Sequence, residues 1–153
     1  MNNKFERSIG YIGEDIFNKI NRKTLIIFGL GGVGGTCFES LLRTGFSNFI
    51  IVDFDNVSES NMNRQILYTA DDIGTPKVEA ALKRAKAINP EVNVVIYNMK
   101  ASNETVSQVG VGDYIIDAID DVDGKVAIAK YAEEKNIYSF DKMTNLSKKL
   151  IEF

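Results

Sequence analysis

Gly29, Gly31 and Gly34 fit the spacing G-x-G-x-x-G inside FGLGGVGGTC (28–37), and Gly32 adds another glycine to the same loop. An apolar run precedes them and a helical pattern follows. Glycines placed there permit a tight turn and let backbone approach an anion closely, while the helix N-terminus offers free amides. Asp53 closes the next apolar run roughly 20 residues on, where an acid takes a ribose hydroxyl. Taken alone, the loop fits the pyrophosphate of a dinucleotide as well as the phosphates of a nucleotide about to be split. A glycine-rich turn that only packs a helix on a sheet is the third reading.

The following segment narrows the choice. DNVSESNMNRQ (55–65) is polar and too long for a simple turn into the next helix. It places Arg64 and Gln65 beyond the second apolar run, on the ligand side of a parallel sheet. Lys77 falls at about the second position of a helix opened by Thr75-Pro76. A cation there opposes the helix dipole at a cost of roughly 0.3–1 kcal/mol unless an anion offsets it. The alternative is an exposed lysine whose stem carries its charge into water. An arginine and a lysine feeding one end of a sheet suit a triphosphate better than a pyrophosphate already served by a helix end. DYIIDAIDD then sets Asp117, Asp120 and Asp121 at the end of another apolar run. A carboxylate facing a triphosphate repels it unless Mg²⁺ lies between, and Mg²⁺ takes one or two carboxylates plus phosphate oxygens. Asp120 is the expected metal ligand. Asp117 is expected to turn into the strand end, and one of these acids to cap the helix that starts near Asp123.

Composition removes other chemistries. The chain of 153 residues has no histidine, so no Ser–His or Cys–His nucleophile pair and no imidazole ligand is available. Its one cysteine, Cys37, cannot form an intramolecular disulfide or a cysteine-pair zinc site. Cys37 is expected to pack as a small buried hydrophobe. A net charge of -3 argues against a broadly basic nucleic-acid surface. No apolar run approaches the roughly 20 residues of a membrane span. MNNKFERS lacks the apolar core of a secretory signal, so the expected compartment is the cytoplasm, with no membrane partner.

The elements that must position these residues alternate regularly. TLIIF (24–28), FIIVD (49–53), VNVVIY (92–97), DYIIDAI (113–119) and NIYSF (136–140) read as strands. Between the first two, Phe38, Leu41 and Leu42 share a helical face that Gly45 closes as C-cap. Thr75 reads as N-cap and Pro76 as first residue of a helix with Val78, Leu82, Ala85 and Ile88 on one stripe, ending at Asn89-Pro90. Residues 123–135 give another helix. Strands joined by helix-length crossovers predict an α/β fold, a doubly wound, mainly parallel, Rossmann-like sheet with helices on both faces. The tail 141–153 reads as one more short helix through Met143, Leu146 and Leu150, or as a frayed end.

GLGGVGG (29–35), VDFD (52–55), NMNRQ (61–65), IGTPK (73–77), INPEV (88–92) and DAID (117–120) together resemble the ThiF/MoeB/HesA family of ATP-dependent adenylating enzymes, relatives of the ubiquitin-activating enzymes. The resemblance runs in order along nearly the whole chain. It implies that the glycine loop and Asp53 with Asp55 bind ATP, that Asn61, Arg64, Gln65 and Lys77 handle the phosphates, and that Asp120 holds Mg²⁺. A substrate carboxylate would attack the α-phosphorus to give an acyl-adenylate and pyrophosphate. FERSIGYIGED (5–15) is similar to the segment that opens these domains, and its Arg7 would reach the triphosphate of a neighbouring subunit in a homodimer. NMNRQ, DAIDDVDGK and the opening segment lean toward the tRNA threonylcarbamoyladenosine dehydratase branch. Activation of a ubiquitin-like sulfur-carrier protein, with sulfur-relay partners, is the alternative. Residues 1–140 thus form the expected ATP-binding adenylation domain. The tail 141–153 does not resemble the family's continuation, which leaves a shortened ATP-binding module without turnover as a third expectation.

Overall fold

TLIIF forms the central strand β1 (Thr24–Phe28) in the computed structural model, which describes residues 3–142. Four strands follow in chain order: β2 (Asn48–Asp53), β3 (Asn93–Asn98), β4 (Tyr114–Asp117) and β5 (Tyr138–Asp141). They pair in parallel throughout, in the order β3-β2-β1-β4-β5. A strand at the centre of a parallel sheet is covered on both faces, which is why β1 reads as an unbroken apolar run. Leu25 and Ile27 point into one core, against α3 (Gly32–Thr44) and α4 (Lys77–Ile88). Ile26 and Phe28 point into the other, against α5 (Val122–Glu134). Phe38 of α3 meets Phe49 of β2 edge to face, ring centroids 4.9 Å apart, a pairing worth about 0.5–1.5 kcal/mol beyond its buried area.

The sheet therefore grows outward from β1 in two directions, with helices on opposite faces for the two halves. The carboxyl ends of β1 and β4 diverge at that reversal and open a crevice, the usual ligand position in this architecture. The doubly wound expectation holds, as does Gly45 as C-cap of α3, with φ of 127°. The helix after Thr75-Pro76 starts one residue late. Pro76 is extended (ψ 133°) and bridges to Asn56, so it sits at the N-cap and Lys77 becomes the first helical residue. The acid that caps α5 is Asp121, which accepts from the Gly124 amide at 2.8 Å. The helix expected through Met143, Leu146 and Leu150 lies outside the described residues.

The polar stretch after β2 is held down rather than free. Val57 N–H donates to the Thr75 carbonyl (2.9 Å) and Gly74 N–H to the Val57 carbonyl (2.8 Å), while Val57, Leu67 and Tyr68 bury in the core beneath. Ser58 and Asn61 cap a short 3₁₀ turn (Glu59–Asn61) reciprocally. Two helices that periodicity did not single out precede the sheet, α1 (Glu6–Ile12) and α2 (Glu14–Asn21). Phe17 of α2 lies against Gly45, where any Cβ would come within 2.3 Å of its ring, and Lys4 bonds Asn89 at 3.1 Å. These contacts place the pair at the amino ends of β2 and β3, away from the crevice.

Glu39 stitches α3 to α4. Buried on α3, it receives Arg84 from α4 at 3.0 Å and Arg43 from its own helix at 2.8 Å. Burial would raise its carboxyl, but the two guanidiniums outweigh it and hold Glu39 below the usual carboxylate range. Asp72 is likewise held low against its burial, by Thr69 and Lys83. Both carboxyls have folded pKa values below their unfolded ones, so their stabilisation is complete above the unfolded value and is lost as pH falls through the folded one. Urea titrations at pH 7 and at successively lower pH should show stability falling on the acid side of pH 4. Glu39→Gln should flatten that limb.

Candidate functional site

The crevice is a cleft of about 450 Å³ at the carboxyl ends of β1, β2 and β4. Gly29, Gly31, Gly32, Asp53, Asp55, Asn61, Arg64, Gln65, Lys77 and Asp120 all line it. The structure thus brings together residues drawn from four separate stretches of sequence. It does not bring Arg7, which is exposed on α1 at the opposite end of the strands. Arg7 is not among the residues that line the cleft of its own chain. Gly34 does not line the cleft either: it is buried beneath it.

The glycines divide by what a side chain would meet. At Gly34 an added Cβ would fall 1.8 Å from the Gly29 carbonyl oxygen, and at Gly29, where φ is 90°, 2.9 Å from the Ala118 backbone. Gly34 is required by the close approach of α3 to the loop after β1, and Gly29 by its positive φ and by the backbone that leaves β4. A Cβ at Gly31 would meet nothing nearer than the Gln65 amide at 3.8 Å, and at Gly32 nothing nearer than the Arg64 carbonyl at 3.6 Å. The chain's own packing therefore accepts a side chain at 31 and 32, but one there would intrude on the cleft. No side chain caps the first turn of α3, so its leading amides remain available to an anion at that point.

The peptide of Leu30, between these glycines, is clamped on both sides. Its N–H donates to Asp53 Oδ2 (2.7 Å) and its carbonyl accepts from the Tyr68 hydroxyl (2.7 Å). The other Asp53 oxygen accepts the Asp55 N–H (2.8 Å), so this acid organises the strand end as well as facing the cleft. Tyr68 was not legible as a site residue, because only the fold carries it from the loop to Leu30. Burial, with Asp53, Asp55 and Asp72 nearby, pushes its hydroxyl well up and keeps it a donor. Tyr68→Phe should cost about 1–2 kcal/mol by orphaning the Leu30 carbonyl, read as a lowered midpoint in urea, and should loosen the loop.

Lys77 settles the choice between an exposed and a directed lysine. The residue is 5% exposed, and its ammonium lies 3.4 Å from Asp55, whose own side chain is half exposed at the cleft. Asn61 is buried and accepts the Ser58 N–H through Oδ1 (2.9 Å). Gln65 is 6% exposed, and its Oε1 is buried with no hydrogen-bond partner among the described residues. An orphaned buried acceptor costs about 1–3 kcal/mol, a cost that a ligand or a water in the cleft relieves. Arg64 is exposed, with Nη1 donating to the Ser60 carbonyl (2.7 Å) and to Asn63 Oδ1 (2.9 Å).

The fourth-strand acids take different tasks. Asp117 turns inward as expected, with Lys125 at 3.1 Å and the Ile119 amide at 3.2 Å. Burial pushes its carboxyl up, whereas Lys125, held by Asp141 and Asp117, is kept above its usual range despite its own burial. Asp120 stands 91% exposed at the mouth and is bonded by Lys142, which holds its carboxyl low. The residues fit Mg²⁺ only as an ion that arrives on phosphates: Asp120 is one carboxylate, and no group of three metal-binding side chains exists among the described residues. Cys37 is partly rather than fully buried, and burial pushes its thiol up, away from the reactive thiolate. Met99, Lys100, Ala101, Ile119 and Lys142 also line the cleft, and spacing alone marked none of them.

Residues 5–147 match the ThiF family. The chain is 34% identical over 140 residues to the tRNA threonylcarbamoyladenosine dehydratase of Bacillus subtilis, covering 90% of this chain and 55% of that protein. It is 31% identical over 138 residues to the sulfur carrier protein adenylyltransferase of Thermus thermophilus, covering 85% and 51%. Among solved structures, that of Escherichia coli tRNA N6-threonylcarbamoyladenosine dehydratase, TcdA, in complex with ATP superposes with a TM-score of 0.86 at 31% identity, over 90% of this chain and 58% of that one. The chain spans about half the length of the curated relatives it matches.

Proposed function

This chain belongs to the ThiF family, and we propose that its cleft binds ATP and presents the α-phosphorus to a substrate carboxylate, which attacks it to form an acyl-adenylate with release of pyrophosphate. The observation that carries the reading is the pair Gly31 and Gly32, glycines that the chain's own packing does not require but that a ligand in the cleft does. The amides opening α3 take phosphate oxygens. Asp53 keeps acceptor capacity for the ribose beside its two backbone bonds, with Asp55 next to it. Lys77, Arg64, Asn61 and Gln65 converge on the phosphates and neutralise charge as the pyrophosphate departs. Such a site works by positioning and electrostatics and needs no strong base, which suits a chain without histidine. Asp120 would hold Mg²⁺ carried in on the nucleotide, where the metal adds charge neutralisation at the phosphates.

The proposed substrate is the carboxylate of threonylcarbamoyladenosine in tRNA, whose adenylation would let the same group be attacked intramolecularly with loss of AMP. The name and the ATP complex of the dehydratase relatives support that choice. Sulfur-carrier activation, with a ubiquitin-like carrier and sulfur-relay partners, is the second reading, supported by the Thermus relative. Arg7 would act on the cleft of a second copy, making a homodimer the working unit in the cytoplasm. That role fits an exposed arginine that does not line the cleft of its own chain. No described helix is long and apolar enough to cross a membrane. Residues 1–140 would make the ATP-binding domain, with 141–153 as a divergent tail.

Exchange of labelled pyrophosphate into ATP tests the proposal. Exchange that depends on threonylcarbamoyl-modified tRNA is the expected result. Exchange only with a carrier-protein tail would shift the assignment to the second reading. ATP binding with neither exchange would leave an ATP-binding module without turnover.

A further inference from the structure

Lys142 has no counterpart in any motif of the sequence reading, yet it is built into the cleft. Its backbone N–H donates to the Asp117 carbonyl (3.0 Å), extending the β4–β5 pairing by one step. The preceding residue, Asp141, is tied to Lys125 at 2.9 Å, and Lys125 to buried Asp117 at 3.1 Å. The stem is thereby anchored from below while its ammonium comes forward onto Asp120. Its side chain is largely buried, in contrast to the exposed carboxylate it meets.

That position is where a charge problem must be solved. A carboxylate beside a triphosphate repels it, and the common remedy is a divalent cation between them. Here an ammonium already occupies one side of the carboxylate. Lys77, Arg64 and Lys100 line the same cleft, so four cations border the space a polyphosphate would fill, Lys100 being paired with Asp121 at 3.3 Å.

The geometry points to Lys142 as a built-in cation of the nucleotide site: it neutralises Asp120 and offers its remaining N–H donors to the phosphates, so that ATP binds without a divalent metal. The inference rests on the ATP reading above and adds to it that the metal is dispensable for binding. Lys142 also explains why Asp120 is compatible with an anion in the cleft.

Titration of the full chain with ATP, in EDTA and again in excess Mg²⁺, tests this directly. The native chain should bind in EDTA within about threefold of its affinity in Mg²⁺. Lys142→Met should lose at least about tenfold in EDTA and recover most of it in Mg²⁺, while Lys142→Arg should stay near the native value in both. Circular dichroism of each variant checks that it folds, and the EDTA-to-Mg²⁺ ratio is a readout that a purely structural lysine would not move. Binding by the native chain only in Mg²⁺ would overturn the role of Lys142 and leave the ATP reading intact. So would an equal loss by Lys142→Met in both conditions. Failure of the native chain to bind ATP in either condition would overturn the ATP reading itself, and Lys142's role with it.

Discussion

Lys77→Met is expected to weaken ATP binding about a hundredfold, near 2.7 kcal/mol, without destabilising the fold. The two effects separate because this lysine's position serves a ligand better than it serves the fold. Its side chain is 6% exposed, at the first residue of α4, where the helix dipole disfavours a cation. Its partner Asp55 is half exposed and 3.4 Å away, a weak return for taking an ammonium out of water. A methionine fills similar volume with no charge to desolvate, so the thermal midpoint should hold or rise. Phosphates arriving in the cleft would make charge-assisted hydrogen bonds with this ammonium, which are about twice as strong as neutral ones, and the variant loses them. Calorimetric titration with ATP beside a thermal melt of the same sample reads both quantities. A melting loss that tracks the binding loss would instead make Lys77 a structural residue.

Gly34→Ala should have the opposite signature, a collapse of stability with binding lost as a consequence. One methyl group is added, but it would sit 1.8 Å from the Gly29 oxygen, 2.8 Å from the Gly29 carbonyl carbon and 3.0 Å from Ala118 Cβ. Two of those three atoms are backbone, so no side chain can swing aside. α3 must lift from the sheet, and with it the Phe38 and Leu42 side chains that fill one core. Overpacking of a well-filled site costs about 1–3 kcal/mol and occasionally more; here the upper end is expected. For a chain of this size that is about 6–12 °C in the midpoint of thermal unfolding. Gly31→Ala is the matched comparison. With 3.8 Å of clearance to its nearest neighbour, it should melt close to the native chain yet bind nucleotide less well.

The contrast between these glycines shows where sequence reasoning reaches and where it stops. The pattern G-x-G-x-x-G marked Gly29, Gly31 and Gly34 alike, since all three lie between one strand and one helix. Only the three-dimensional contacts, Gly29 against Ala118 and Gly34 of α3 against Gly29, separate the glycines that packing requires from Gly31, which only borders the cleft. Strands and helices were legible because their signals are local: apolar runs for β1 to β5, a proline and an asparagine bounding α4. The start of α4 moved by one residue because Pro76 bridges to Asn56, a contact between segments 20 residues apart in sequence. Asp53, Asn61, Gln65 and Lys77 could be placed at one end of the sheet from topology alone, since every parallel strand delivers its carboxyl end there.

Tyr68 and Lys142 could not be placed that way. Tyr68 reaches Leu30 only because the polar segment folds back across the core, and Lys142 reaches Asp120 only because β5 pairs beside β4. Neither residue stands in a spacing pattern with its partner. Arg7 is a different case: a motif that opens the chain says nothing about which end of the sheet α1 will occupy, and Arg7 does not line the cleft of its own chain.

The central claim, that this cleft is an ATP site and not a dinucleotide site, is tested most directly by titrating one preparation with ATP and with NAD. Saturable binding of ATP at one site per chain, abolished or strongly weakened in Lys77→Met, with no comparable binding of NAD, is the expected result. Tighter binding of NAD than of ATP, or ATP binding unaffected by Lys77→Met, would contradict it.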